Sequence, residues 1–114
     1  MTVIVSGPSV DFYDTAAEPI LSFHCHGAIV SPGLVTIGPA GGLTKEQSDQ
    51  VHKAKRAVIT VSAGLRTEEK IEFFPKNRSI TPEQIDFQLD ISPKHSFYYG
   101  VTDSLKPVLN PTEP

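Results

Sequence analysis

Ile20-Leu21-Ser22-Phe23-His24-Cys25-His26-Gly27-Ala28-Ile29-Val30 is the longest strand candidate in the chain, and its alternation sets the expectation of a β-rich fold. Side chains two apart share a face of a strand. Leu21, Phe23, Cys25, Gly27 and Ile29 are therefore expected on one side, and Ile20, Ser22, His24, His26, Ala28 and Val30 on the other. The odd-numbered side is the apolar one, which places Cys25 in a core between two outward histidines. Ahead of this stretch, Thr2 to Ser6 is a short β-branched strand stopped by Gly7-Pro8, and Val10 to Tyr13 is a weaker one. After it, Ser31-Pro32-Gly33 is a turn, Leu34 to Ile37 a short strand, and Gly38-Pro39-Ala40-Gly41-Gly42 a loop.

One helix interrupts the strands. Thr44 with Gln47 forms a capping-box pattern, and the residues from Lys45 to about Lys55 are good helix formers without Gly or Pro. Its apolar stripe is thin, carried by Leu43, Val51, Ala54 and Val58, so it is expected on the surface of a sheet. Ala57 to Ala63 and Lys70 to Phe74 read as the arms of a hairpin, with Pro75 to Ser79 as the next turn. At Thr81-Pro82-Glu83-Gln84 a helix-start signal conflicts with the alternation of Ile85, Phe87, Leu89 and Ile91 with Asp86, Gln88 and Asp90. The alternation is the longer signal, which leaves at most one turn at Pro82 to Gln84 before a half-buried strand to Ile91. His95 to Val101 is the last strand. The expected fold is all-β or β-rich α+β: a small antiparallel sandwich or barrel of about seven strands with one surface helix at about 45–55. Residues 1–105 form a single domain and 106–114 an extended tail containing Pro107, Pro111 and Pro114.

Composition narrows the function. The chain has 114 residues, 39% of them hydrophobic and 20% charged, which is the profile of one globular domain. No apolar run reaches the roughly twenty residues of a membrane span, and no secretory pattern opens the chain, so the expected location is the cytoplasm. A single cysteine excludes an internal disulfide and a four-cysteine zinc site. The net charge of −3 disfavours nucleic acid as the partner, but it is distributed in blocks. Met1 to Thr44 holds three acids and no Lys or Arg; Lys45 to Arg78 holds eight bases against five acids; the remainder holds two bases against five acids. Such asymmetry suits docking on another protein or on copies of the same chain. Tyr98 and Tyr99, with the basic residues Lys53, Arg56 and Arg66, are the residues the sequence offers for that interface.

His24-Cys25-His26 is the one constellation with metal chemistry in it. Two imidazoles on one face of a strand can share an ion, and zinc or copper would need a third or fourth ligand from His52, His95 or a carboxylate. The His-x-His pair resembles that of cupins, which continue with a glutamate, and the His-Cys-His resembles that of copper oxidases, which add a downstream histidine. Gly27 to Thr44 contains neither residue, so both resemblances stop at the pair. Cys25 itself lies on the apolar face, the setting of a structural thiol and not of a nucleophile. The glycine-rich loop at Gly38 to Gly42 lacks the Lys-Ser/Thr ending of a phosphate cradle, and Asp86 and Asp90, about 13 Å apart along a strand, are too distant for paired acid and base work. No cofactor is implied beyond zinc or copper at His24 and His26. The function these residues favour is non-catalytic binding or assembly, as an accessory, structural or inhibitor protein. A phage or mobile-element origin fits so compact a chain and would place it in a virus particle or host cytoplasm. A metal-dependent β-barrel protein using His24 and His26 is the alternative from another class, and a carbohydrate-binding module is a third, by fold analogy alone.

Overall fold

In the computed structural model, residues 2–15, 17–62, 67–99 and 106–107 are described. Among these the strands are β1 (Val3–Ser6), β2 (Ser9–Tyr13), β3 (Leu21–Val30), β4 (Leu34–Pro39), β5 (Arg56–Ser62), β6 (Thr67–Phe73), β7 (Pro75–Ile80), β8 (Ile85–Leu89), β9 (Lys94–Tyr99) and β10 (Lys106–Pro107), with one helix among the described residues, α1 (Lys45–Lys53), between β4 and β5. All pairings are antiparallel, in the order β10-β9-β6-β5-β2-β3-β4-β8-β7, with β1 on β3. The ends β7 and β10 do not pair with each other, so the sheet is not closed into a barrel. It folds over on itself instead. Phe87 on β8 packs against Phe12 on β2 (ring centroids 5.9 Å) and Phe73 on β6 (5.1 Å), strands that are not its neighbours in the sheet. These three rings are fully buried, with Val10, Val35, Ile37, Ile59, Ile71 and Ile85 around them.

The fold-over happens along β3, and it overturns half of the expected facing. Cys25 lies opposite Pro39 of β4 but Gly27 lies opposite Gly38, so His26 is an extra residue in β3, a β-bulge. Before the bulge the odd residues point inward, ending at Cys25, as the alternation required. Beyond it the phase flips: Ala28 and Val30 are buried, while Ile29 is 45% exposed. A one-residue insertion exchanges the two faces of a strand, which lets β3 bury one face against each layer. The neighbouring strand turns with it. β1 and β2 both pair with β3 in one continuous register, Val3 opposite Val30 through Ser6 opposite Gly27, then Ser9 opposite His24 through Phe12 opposite Leu21. They are one strand broken at Gly7-Pro8. Gly7 adopts φ +61, which glycine reaches without steric cost, and the pattern of buried residues steps from Val5 to Pro8 across it.

Other expectations shift for identifiable reasons. Gly38 and Pro39 belong to the end of β4, not to a loop; where Pro39 has no N–H to donate, Ala40 N–H donates to His24 O (2.9 Å) instead. Pro75 to Ser79 is a strand, not a turn, because the proline sits at the start of an edge strand with a register shift before Asn77. The strand at Ile85 ends at Leu89, leaving Ile91 outside it and 65% exposed. The β-rich fold is as expected, with ten strands among the described residues against about seven, chiefly because these short pieces pair. The helix ends at Lys53, two residues early, with Ala54 in extended conformation. Its capping box is as the sequence indicates, Gln47 N–H donating to Thr44 Oγ1 (3.1 Å) and Thr44 N–H to Gln47 Oε1 (2.9 Å). Thr81 and Gln84 close a single turn, with Gln84 N–H donating to Thr81 Oγ1 (3.0 Å) and Thr81 N–H to Gln84 O (2.9 Å).

Arg78 of β7 ties the helix to the sheet. Its guanidinium donates to the carbonyls of Val51 (2.6 Å), Ala54 (2.7 Å) and His52 (3.1 Å) at the end of α1, and to Pro75 O (3.2 Å). The helix carries its own anchor in Val51, which is fully buried. Residues 63–66, where the sequence leads to an expected hairpin turn, and 108–114 of the expected tail lie outside the described residues.

Candidate functional site

Val3-Ile4-Val5-Ser6 is β-branched and uncharged, and as β1 it has a neighbour on one side only among the described residues, namely β3. Gly7 N–H donates to His26 O (3.0 Å). By the alternation of an antiparallel ladder, the amides of Val5 and Val3 then face β3, and those of Ile4 and Ser6 face the open side. Ile4 is 78% exposed and stands opposite Ile29, the residue the bulge turned outward. Thr36 of β4 follows in the same row, opposite Ile29, and donates from its hydroxyl to Asp86 Oδ1 (2.8 Å). A groove of about 290 Å³ runs over this face, lined by Ile4, Ser6, His26, Ile29, Thr36 and Gln84 among others, with no acid, lysine or arginine in its lining. At its floor, Gly27 lets the strands close up: a Cβ there would meet Val5 O at 3.1 Å.

The opposite edge of the same half is guarded. β7 begins with Pro75, carries the register shift, and bears Lys76, which pairs with Asp90 (3.2 Å), and Arg78, which is committed to the helix. Edge strands are ordinarily blunted by proline, bulges and charge. β7 has all three and β1 has none.

His24 and His26 are exposed on either side of buried Cys25, as expected. Among the described residues no group of three His, Cys, Asp or Glu comes together that could hold a metal ion. His26 lines the apolar groove, and His95 is engaged with Glu69 (2.8 Å) on β6. Cys25 is 3% exposed, and burial pushes its thiol up to about 12.

The residues the sequence offered for an interface do not converge on β1. Arg56 lies on β5 with its guanidinium 4.0 Å from the centre of the Tyr13 ring and 2.8 Å from Glu72 Oε2. Lys53 is exposed in the last turn of α1, Tyr98 and Tyr99 lie in β9 between β6 and β10, and Arg66 is outside the described residues. Much of the basic middle block is spent within the fold: Lys70 pairs with Glu68 (3.4 Å), and Lys55 and Lys76 reach Asp14 (4.0 Å) and Asp90 in the acidic blocks on either side. Sequence reasoning missed Ile4 and Ile29. The signal for Ile4 was present, since Thr2 to Val10 contains no charged residue, but the exposure of Ile29 depends on a bulge that alternation cannot foresee. Comparison with protein-family models, with curated proteins and with solved structures finds no match. Among the described residues no helix is long and apolar enough to cross a membrane.

Proposed function

We propose that the protein is a non-catalytic binding and assembly protein whose docking element is the open edge of β1, which takes up a strand of a second polypeptide. The observation that carries this reading is the Ile4–Ile29 pair: a β-branched, uncharged edge strand with its outward isoleucine beside a second one, in a half-sheet whose other edge is guarded. Strand addition draws affinity from the backbone groups of the edge and specificity from the outward side chains next to it. Two further facts support binding over catalysis. The groove beside β1 is lined by apolar and neutral groups with one imidazole and no carboxylate, and the sole cysteine is sealed in the core.

Native mass spectrometry of the protein purified without denaturant tests the reading. The unaltered chain is expected in assemblies of at least two polypeptides, and Ile4→Lys, which places a charge on the open edge, as a monomer. Monomer alone for both chains across the micromolar range overturns it.

A further inference from the structure

Resting on that reading, we propose that the strand accepted by β1 is β1 of a second copy, joined antiparallel about a twofold axis that passes through Ile4. Three features of the edge single out a copy of the same chain. First, a twofold interface brings each surface against itself, so a patch of one charge sign, or any charge on the axis, meets its like. The chain carries a net charge of −3, yet β1, the groove beside it and the whole of Thr2 to Val10 are free of acids, lysine and arginine. Second, this half of the sheet has one open edge, since β7 is blunted. A half-sheet with a single open edge of this kind among the described residues closes into a pair through that edge and does not propagate along itself.

Third, the backbone selects one register. Within β1 only Ile4 and Ser6 turn their amides outward, with Thr2 next in the same row, so the even-numbered residues of the two copies must meet. Centring the axis on Ser6 would set Ile4 opposite Pro8, which has no N–H to give to the ladder. Pairing Ile4 with Ser6 would draw Gly7, at φ +61, into a position opposite Val3, where extended backbone is needed. Placing Ile4 opposite the second copy's Ile4, and Thr2 opposite its Ser6, avoids both. The same register sets Ile29, Ile4 and their two counterparts in one row across the interface, covering the most exposed apolar side chain of the described residues. So short a strand, with two isoleucines a side, falls well below the roughly 800 Å² per partner of a standard interface, which makes the dimer weak and concentration-dependent.

Cysteine cross-linking tests the register. Residues facing each other in a hydrogen-bonded antiparallel pair have Cα atoms about 5.5 Å apart, within the span of a disulfide. Under mild oxidation Ile4→Cys is expected to form a disulfide-linked dimer. A mixture of Thr2→Cys and Ser6→Cys is expected to form the mixed dimer several-fold more than either variant forms its own. Buried Cys25 supplies the unreactive background, Lys45→Cys on α1 the control for random collision, and far-UV circular dichroism the check that each variant is folded. Folded Ile4→Cys that cross-links no faster than Lys45→Cys overturns the twofold register, as does a mixed pair that shows no excess. If the native-mass experiment still gives assemblies that Ile4→Lys dissolves, the docking edge stands and the twofold pairing through Ile4 falls. If both chains are monomeric there, the edge itself falls.

Discussion

Replacing Arg78 with alanine is expected to cost about 3 kcal/mol of stability, because this side chain fastens the end of α1 to β7. The shortest contacts are those to Val51 O (2.6 Å) and Ala54 O (2.7 Å), both from Nη1, which has two hydrogens; the third contact from that nitrogen, to His52 O, is longer at 3.1 Å and must be shared. Two hydrogen bonds from a charged donor are worth roughly 1.5–3 kcal/mol each by mutational measure. The cation also sits where the helix carbonyls concentrate negative potential, a contribution of about 0.3–1 kcal/mol that overlaps the first. The lower end of the range applies, since the helix end borders on exposed His52 and Lys53 and the abandoned carbonyls can be hydrated. For a chain of this length, 3 kcal/mol corresponds to a fall in Tm of roughly 10 °C. Burial lowers the Arg78 pKa from the ordinary arginine value, but arginine keeps its charge throughout the working range, so the loss is expected to be flat with pH. Arg78→Lys keeps a cation but not the fork, and is expected to recover less than half of the loss. Urea unfolding followed by far-UV circular dichroism measures all three chains. An Arg78→Ala chain within about 0.5 kcal/mol of the unaltered one, the ordinary range for a surface substitution, would refute the assignment of Arg78 as the helix anchor.

Two further outcomes follow from the core. Phe87→Ala removes the ring that meets Phe12 and Phe73 from the facing layer and is expected to cost roughly 3–5 kcal/mol, with Phe87→Leu well below that; equal losses in the two variants, measured by the same unfolding assay, would show that the ring contacts are not what joins the layers. Cys25 gives a pH signature, since its thiol rises from an ordinary value of 9.0 to about 12 in the folded chain. The unfolded chain therefore releases this proton first: the contribution to stability is complete below pH 9 and declines through the window up to 12, at a slope approaching about 1.4 kcal/mol per pH unit. Cys25→Ala is expected to remove that decline, and thiol labelling of the native chain near neutral pH is expected to proceed only as fast as the chain opens.

The sheet was legible in the sequence and its corner was not, and the difference has a physical origin. Period-two alternation reports which residues share a face as long as the backbone stays regular, which is why Leu21, Phe23 and Cys25 fall on the predicted side, as do Ile85 and Phe87. The capping box at Thr44 and Gln47 is equally local and equally readable. A bulge is different, because the extra residue is defined only against the partner strand. Nothing in His24-Cys25-His26-Gly27 marks His26 as surplus until Pro39 lies opposite Cys25 and Gly38 opposite Gly27. Every face beyond that point inverts, so the residue that sequence periodicity places in the core, Ile29, becomes half of the exposed isoleucine pair. The prolines misled for a related reason: Pro39 and Pro75 read as breaks, but each occupies an end of a strand where the ladder has no use for its missing N–H. The bend that lets one sheet form two layers thus also creates the candidate docking face. At Gly7-Pro8 and His26 the chain turns β1 away from β5, the strand that continues the sheet beside β2, and leaves β1 with β3 as its one neighbour among the described residues. An edge produced by folding the sheet in this way is open for the same reason that the core is closed.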